Sequence, residues 1–201
     1  MYTNSFNPLD KLIAYLRHRE LIKNFSLKNK KILDFGCGSN FKGLKKFYRN
    51  CGKITFVDNV ADDFEDEKTT FINYQNNFDI LNEKIDNNFY DLIILSAVIE
   101  HLDKPEKIIN ILKNKLNDNG CFFLTAPGKK SKIILEFLAF KLGVINSDLV
   151  KQHKRYYDKN EYDILSWNDM SRHIHSMPNK NILLTWERNN IMIFDSILVS
   201  S

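Results

Sequence analysis

The chain has 201 residues, of which 43% are hydrophobic and 27% are charged. This length fits one domain, and the composition excludes disordered and fibrous proteins. The formal net charge of +4 is too small to require a nucleic-acid partner. The three cysteines include no C-x-x-C pair, so we expect neither a disulfide framework nor a structural zinc site, and we expect a cytoplasmic location. No apolar run reaches about 18 residues and residues 1–10 lack signal-peptide features, so we expect no transmembrane segment and no secretory leader.

The first two thirds of the chain alternate short apolar strands with amphipathic helices. Strands are predicted over residues 31–35, 53–57, 70–73, 91–95 and 121–125. Helices are predicted over residues 8–27, 44–48 and 105–116. Strands separated by helices indicate βαβ units, so we predict an α/β fold with a doubly wound, mostly parallel sheet of about seven strands.

The last third of the chain has a different pattern. A helix rich in large apolar residues is predicted over residues 131–145, and a polar helix from 160 to about 173. Two strands over 182–186 and 191–199 are joined by a polar turn, which predicts a C-terminal hairpin with one antiparallel strand. We predict one domain over residues 1–201, with a helical lid over about 129–175. The apolar lid helix is expected to bury its side chains on the core; a membrane-docking surface is the alternative.

A turn with two glycines follows the first predicted strand. Gly36 and Gly38 permit positive φ and a close approach of the backbone to a ligand. The next strand ends in Asp58, whose carboxylate can accept hydrogen bonds from both hydroxyls of a ribose. In an open parallel sheet, ligands bind beyond the carboxyl ends of the strands. The pattern therefore predicts a nucleoside-containing cofactor.

The residues around this turn favour a cationic cofactor over a nicotinamide dinucleotide. The dinucleotide fingerprint needs a small residue where this chain has the bulky Phe41. Asp34, two residues before the first glycine, places a carboxylate that would repel a pyrophosphate. S-adenosylmethionine carries a sulfonium and an ammonium group, so the charges favour it.

Two segments resemble the class I S-adenosylmethionine-dependent methyltransferases. Residues 32–38 (ILDFGCG) resemble their motif I, and residues 89–102 (FYDLIILSAVIEHL) are similar to their fourth strand and the following turn. The resemblance extends from about residue 17 to 157, and the terminal hairpin matches the reversed seventh strand of that family. It implies a Rossmann-like fold and methyl transfer. One departure is Asn40, where the family usually has Gly; Asn tolerates left-handed conformations, so we expect binding to survive.

The resemblance also implies roles for individual residues at the cofactor. It places the glycine turn and Asp34 at the methionine part and ribose, Asp58 at the ribose hydroxyls and Asn59 beside the adenine. It implies that an acidic residue meets the adenine amino group beside a ring-stacking residue, and that an arginine of the first helix reaches the cofactor carboxylate. The implied cofactor-binding residues are Arg19 (or Arg17), Asp34, Gly36, Cys37, Gly38, Asp58, Asn59, Phe78, Asp79, Ser96 and Ala97.

Three residues are candidates for catalysis. His153 lies in a segment that resembles a substrate-covering lid, and it is the first candidate for a general base because imidazole titrates near neutral pH. His101 and Glu100, which follow the fourth strand, are further candidates. The candidate substrate-binding residues are Lys154, Arg155 and Tyr156.

The expected function is S-adenosylmethionine-dependent methyl transfer to an oxygen or nitrogen of a small acceptor. Lysines after the fifth strand and in the lid would favour an anionic acceptor such as a sugar nucleotide or glycan precursor. Residues 96–99 (SAVI) lack the motif of amine-directed DNA methyltransferases, so we expect no DNA partner. We expect no metal, because no cluster of carboxylates suits Mg²⁺. The alternatives are an RNA-modifying enzyme, which is less favoured, and a non-catalytic S-adenosylmethionine-binding protein; a monomer or homodimer is expected.

Overall fold

The computed structural model describes residues 15, 21–22, 25–39, 47–127, 131–156, 171–176, 182–187 and 191–195. The described strands are β1 (Lys31–Phe35), β2 (Lys53–Asp58), β3 (Phe64–Glu65), β4 (Thr69–Asn73), β5 (Tyr90–Ser96), β6 (Leu116–Ala126), β7 (Ser171–Ser176), β8 (Ile182–Glu187) and β9 (Ile191–Asp195). The helices with defined bounds are α1 (Phe78–Lys84), α2 (Pro105–Lys113), α3 (Ser131–Glu136) and α4 (Ser147–Lys151). A 3₁₀ turn covers Ile99–His101, and a π-helical turn covers Phe137–Lys141.

All nine described strands belong to one sheet, in the order β3-β4-β2-β1-β5-β6-β9-β8-β7. The central strand β1 pairs in parallel with β2 on one side and β5 on the other. Neighbouring residues along β1 alternate between two cores: Leu33 belongs to one buried cluster, and Ile32 belongs to the other. Both faces of the sheet are therefore covered, which explains why these strands are continuous apolar runs.

The C-terminal strands confirm the predicted antiparallel hairpin and extend the sheet beyond the predicted seven strands. β8 pairs antiparallel with both β7 and β9, and β9 pairs in parallel with β6. The two further strands are β7 and the short β3, which pairs antiparallel with β4. The fold is the expected mixed α/β, Rossmann-like sheet. In the C-terminal hairpin, the strand that runs antiparallel to β6 is β8, and β9 lies between β8 and β6.

Two predicted helix boundaries are wrong. The helix predicted over 105–116 ends at Lys113, and Leu116 already begins β6. Lys115 lies between the helix and β6, and its buried Nζ donates to Ile85 O at 2.7 Å, which ties the chain to the loop before β5. The polar helix predicted up to about residue 173 is wrong at its end, where Ser171–Ser176 is a strand; pairing with β8 overrides the local preference. Residues 157–170 lie outside the described residues.

The apolar part of the lid does not pack as predicted. The lid buries three small or medium side chains of its own, Ala139, Ile145 and Val150. Leu135 and Leu138 are partly buried against these three. Four other large apolar residues are exposed: Ile133 by 77%, Phe137 by 52%, Phe140 by 48% and Leu142 by 55%. The prediction that this helix face is buried on the main core is therefore wrong. The chain reverses at Gly143 (φ +62°), so α4 packs back on the π-helical turn and closes a separate small core.

The N-terminal helix is described only in part. Tyr15, Leu21 and Ile22 are helical, and the rest of the predicted 8–27 helix lies mostly outside the described residues. Of the helix predicted over 44–48, only Phe47 and Tyr48 are described, and they lie in a turn and a bend rather than a helix. Within the described ranges, none of the helices combines the length and the hydropathy that a membrane crossing requires.

A buried hydrogen bond across the central sheet should contribute measurably to stability. Tyr90 Oη donates to Thr55 Oγ1 at 3.0 Å, joining β5 to β2 over β1. We expect Tyr90→Phe to lower the free energy of unfolding by about 1–2 kcal/mol, because it removes the hydrogen-bond donor to the buried Thr55 hydroxyl. Urea unfolding measures the loss.

The matched control is the double variant, in which both partners of the hydrogen bond are replaced. Thr55→Val in the Tyr90→Phe background should cost less than the sum of the two single substitutions, since no buried hydroxyl loses its partner. Strictly additive costs would show that this hydrogen bond contributes nothing.

Candidate active site

The two glycines after β1 serve different purposes. Gly36 (φ +76°) lies against Val98, and an added Cβ would come within 2.4 Å of Val98 Cγ2. Gly38 (φ +71°) has no atom within 4 Å of the corresponding position. Gly36 therefore permits close packing of the turn on the segment after β5. Gly38 leaves open space above the carboxyl end of the sheet.

Asp58 connects the tip of β2 to this turn. Its Oδ2 accepts from the backbone N–H of Gly38 at 2.8 Å, and its Oδ1 accepts from Asn59 N–H at 2.7 Å. Each carboxylate oxygen can accept more than one hydrogen bond. The carboxylate is therefore fixed beside the open position at Gly38 and can still accept further donors, as the assignment to a ribose requires.

Asp34 is more deeply buried than the sequence suggested. Its side chain is 3% exposed, and its Oδ2 accepts a hydrogen bond from Tyr48 Oη at 2.9 Å. Burial raises the pKa of Asp34 to about 7; the Tyr48 hydrogen bond opposes this shift and the charge of Asp58 adds to it. Tyr48 was not identified as a site residue, because it lies outside any recognisable motif.

Cys37, between the two glycines, has a neutral thiol. Burial raises the pKa of Cys37 well above the ordinary value, and the charges of Asp34 and Asp58 raise it further. A thiol is nucleophilic only as a thiolate. Cys37 therefore fits a packing and lining role in the turn, and not that of a nucleophile.

The predicted adenine-side residues lie on two neighbouring loops. Asn59 Nδ2 donates to Asn76 Oδ1 at 2.7 Å, so the loop after β2 is bridged to the loop after β4. Asn76 has φ +55°, a left-handed conformation that Asn tolerates, and this residue was not identified from the sequence. Asp79 is exposed in the first turn of α1. The ring of Phe78 is half-buried, with Lys107 Nζ 4.8 Å from its centroid.

The tip of β5 is strained and held by β6. Ala97 has φ +57°, unusual for a residue with a Cβ. Its N–H donates to Thr125 O at 3.0 Å and to Thr125 Oγ1 at 2.9 Å. Ser96 lies next to this pair, with its Oγ 3.4 Å from Thr125 Oγ1. Thr125, which the sequence analysis did not single out, thus fixes the predicted methionine-side residues.

The three candidate catalytic residues lie together although the chain separates them. Glu100 is buried, and the rings of His101 and His153 form a T-shaped pair with centroids 4.9 Å apart. One ligand atom from each of the three side chains lies within 4.8 Å of the others. The backbone N–H of Lys154 donates to Glu100 O at 2.8 Å, which attaches the His153 segment to the turn after β5.

The three predicted substrate-binding residues mostly contact other side chains. Lys154 Nζ is 2.5 Å from Asp103 Oδ1, and Arg155 Nη1 is 3.2 Å from Glu106 Oε1. Tyr156 Oη lies 3.3 Å from His153 Nδ1. Arg19, the predicted contact of the cofactor carboxylate, lies outside the described residues, as does Arg17.

The burial of Asp34 should make stability depend on pH. Because its pKa is raised from 3.8 to about 7 in the folded chain, its contribution is complete below pH 4 and is lost as pH rises to 7. We expect Asp34→Asn to remove this loss. Between pH 4 and 7, the free energy of unfolding of the variant should rise relative to that of the wild type by up to about 4 kcal/mol. Urea unfolding at several pH values measures the difference.

Asp91→Asn is the control of opposite sign. Partial burial acts to raise the pKa of Asp91, but hydrogen bonds from Lys31 N–H and the Asn117 amide lower it overall. This variant should therefore be less stable than the wild type above pH 4 by a constant amount, and the difference should shrink as pH falls below 4. Parallel pH profiles of the wild type and Asp34→Asn would contradict the assignment to Asp34.

A curated relative shares much of the sequence. The chain is 29% identical over 155 residues to a ubiquinone biosynthesis O-methyltransferase of Glaesserella parasuis serovar 5 (strain SH0165). The match covers 72% of this chain and 60% of the relative, so the chain spans only part of that protein's length.

Solved structures share the fold at low sequence identity. A methyltransferase from Bacillus halodurans C-125 has a TM-score of 0.53 and 12% identity, covering 79% of this chain and 71% of that one. The plantazolicin methyltransferase BamL, solved with a triazolic desmethylPZN analog and SAH (S-adenosylhomocysteine), has a TM-score of 0.52 and 16% identity, covering 83% of this chain and 65% of that one. Phosphoethanolamine N-methyltransferase 2 of Haemonchus contortus, solved with S-adenosyl-L-methionine, has a TM-score of 0.51 and 13% identity, covering 81% and 39%.

The family is shown by a match that extends over nearly the whole chain. Residues 8–193 match the Methyltransferase domain family. This match and the glycine turn linked to Asp58 agree with the resemblance seen in residues 32–38. The chain therefore belongs to the Methyltransferase domain family, in agreement with the resemblance to class I S-adenosylmethionine-dependent methyltransferases.

Proposed function

We propose that the protein transfers a methyl group from S-adenosylmethionine to a hydroxyl oxygen of a small-molecule acceptor. The observation that carries the proposal is the carboxylate of Asp58, fixed by Gly38 N–H beside an open position. The choice of oxygen over nitrogen is supported by the curated relative, whose name describes an O-methyltransferase. The acceptor site is proposed at the turn after β5, where Glu100, His101 and His153 meet.

The residues at the carboxyl end of the sheet fit the cofactor. A side chain at Gly38 would fill the open position, and Asp58 offers a carboxylate beside it. The residues that would hold the cofactor are Asp34, Gly36, Cys37, Gly38, Asp58, Asn59, Phe78, Asp79, Ser96 and Ala97, with Arg19 proposed from the sequence. When bound, the cofactor supplies a methyl group already activated on a sulfonium, so the protein mainly contributes proximity and alignment.

The histidine pair offers a path for the proton of the acceptor. His101 Nδ1 lies 3.3 Å from the carbonyl oxygen of Gln152, which can only accept, so Nδ1 carries the hydrogen and Nε2 the lone pair. His153 packs against this ring and contacts the Tyr156 hydroxyl through Nδ1. We assign His153 as the general base, with His101 and Glu100 beside it.

The charges near the cluster give little support for a strongly anionic acceptor. Lys154 and Arg155 are paired with Asp103 and Glu106. Lys132 Nζ lies 5.6 Å from the centroid of the Tyr156 ring and 3.9 Å from Glu136 Oε1. Each of these cations is balanced by a carboxylate. An uncharged acceptor with a hydroxyl therefore fits this surface better than a sugar nucleotide or an RNA backbone.

Cofactor binding provides the first test of the proposed function. We expect the protein to bind SAH in calorimetry and to bind NAD far more weakly. Asp58→Ala should weaken SAH binding by about 1.5–3 kcal/mol, because hydrogen bonds to a charged group are lost. Asp62→Ala, an exposed carboxylate on the same loop, is the matched control and should bind as the wild type does.

Two results would contradict the cofactor assignment. NAD binding without SAH binding would overturn it, and unchanged SAH affinity in folded Asp58→Ala would remove the ribose role. SAH binding without methyl transfer to any member of a hydroxyl-containing metabolite pool would indicate the non-catalytic alternative.

The general base provides the second test. We expect His153→Ala to lower kcat by about 10²–10⁴-fold and to abolish the acidic limb of the pH–rate profile, with cofactor affinity nearly unchanged. His101→Ala should also disturb cofactor binding. His175→Ala is the matched control, because His175 lies on β7, four strands from β5 in the sheet. A near-normal kcat in His153→Ala together with a loss in Glu100→Gln would reassign the base.

A further inference from the structure

We propose that Glu100, His101 and His153 form a binding site for a divalent transition-metal ion of the Zn²⁺ class. Each residue offers one ligand atom, and the three atoms lie within 4.8 Å of one another. Ligands of a tetrahedral ion with bond lengths of about 2.0–2.2 Å are separated by roughly 3.4 Å. Small side-chain rotations would therefore bring the three atoms to coordinating distance.

Backbone contacts hold the two halves of this site together. Glu100 and His101 belong to the 3₁₀ turn after β5, whereas His153 follows α4. The Lys154 N–H donates to Glu100 O at 2.8 Å, and His101 Nδ1 lies 3.3 Å from Gln152 O. These contacts lie on both sides of His153 in the chain. The ligands are therefore brought together before an ion binds.

Both imidazoles have the outer contacts that metal-binding histidines need. A ligating histidine nearly always donates its second ring N–H to a carbonyl, a carboxylate or water, which fixes the ring and its tautomer. His101 does so to the Gln152 carbonyl, which leaves the lone pair on Nε2. His153 Nδ1 lies 3.3 Å from the Tyr156 hydroxyl, which can accept the corresponding hydrogen bond. Tyr156 is thus a positioning residue for His153.

Charge and burial also favour a cation at this place. Glu100 is 1% exposed, whereas both histidines are half-buried, so the ion would have a carboxylate beneath it and a path from solvent. The two cations that follow His153 in the chain contact other carboxylates: Lys154 contacts Asp103 and Arg155 contacts Glu106. Neither ion pair involves the Glu100 side chain.

The set of ligands determines the class of metal. Two imidazoles and one carboxylate with an open fourth position are typical of catalytic zinc sites and of related divalent transition metals. Mg²⁺ prefers oxygen ligands in an octahedron and is not expected to compete. From the sequence we expected no metal because carboxylates do not cluster, and that argument does not apply to a site with two histidines.

The ion would have a chemical role in the proposed reaction. With the ion bound, Nε2 of His153 would be a ligand and would no longer be the general base. The open position of the ion would instead polarise the acceptor oxygen, so that the hydroxyl proton would leave to water. The oxygen then forms its bond to the methyl carbon as the carbon–sulfur bond breaks. This role rests on the proposed function, whereas metal binding itself does not.

The test uses metal binding by the full chain after treatment with a chelator. Calorimetry with ZnCl₂ alone should show one saturable site, and CoCl₂ alone should give visible absorption bands of nitrogen-ligated Co²⁺. His101→Ala, His153→Ala and Glu100→Gln should each weaken Zn²⁺ binding at least about 100-fold, since even outer-shell changes cost 10–100-fold. Tyr156→Phe should weaken it about tenfold. MgCl₂ should give no saturable heat.

Matched controls separate this site from adventitious binding. His173→Ala and His175→Ala, both on β7, should bind Zn²⁺ as the wild type does. Circular dichroism checks that each variant is folded. If Glu100→Gln does not fold, His153→Ala still tests the site, because His153 is only half-buried. Absence of a saturable Zn²⁺ site, full Zn²⁺ affinity in folded His153→Ala, or equal binding of Mg²⁺ would overturn the inference. SAH binding without Zn²⁺ binding overturns this inference alone, whereas Zn²⁺ binding without SAH binding overturns the proposed function alone.

Discussion

The hydrogen bond from Gly38 N–H to Asp58 determines how the cofactor edge of the sheet is organised. It joins the turn after β1 to the tip of β2, so the two strand ends act as one rigid unit. Gly36 locks the same turn on the other side, against Val98 after β5. The loops of three adjacent strands are thereby fixed relative to one another, and side chains on these loops can be positioned without a ligand to order them.

This edge concentrates negative charge in a poorly solvated place. Asp34 lies beneath the turn and is almost completely buried, while Asp58 lies above it. Burial raises the cost of ionising Asp34 and the charge of Asp58 adds to it, whereas the Tyr48 hydroxyl offsets only part of this cost. A cation bound at this edge would lower that cost. The cost of ionisation at this edge and its suitability for a positively charged ligand are therefore two results of the same arrangement.

The sequence predicted the parts of the fold that depend on local patterns. Continuous apolar runs identified β1, β2 and β5 within a residue or two, and topology alone placed Asp58 beside the glycine turn. The start of β6 was missed because residues 117–120 (NDNG) resemble a turn, yet Leu116 already pairs with Tyr90. The contacts of Asp34 with Tyr48 and of His101 with His153 could not be predicted, since residues far apart in the chain meet only after folding. Apolar spacing also could not show which side of the lid helix faces solvent.

The small separate core of the lid has a consequence for local unfolding. Three buried residues, Ala139, Ile145 and Val150, stabilise the segment internally, whereas its described attachment to the turn after β5 relies on a few polar contacts. Such a unit opens at a much lower free energy than the central sheet. Its amide protons should exchange with deuterium as one cooperative group, well before those of β1 and β5. Each opening would carry His153 away from Glu100 and His101, so the cluster would be complete only while residues 131–156 are folded against the turn after β5.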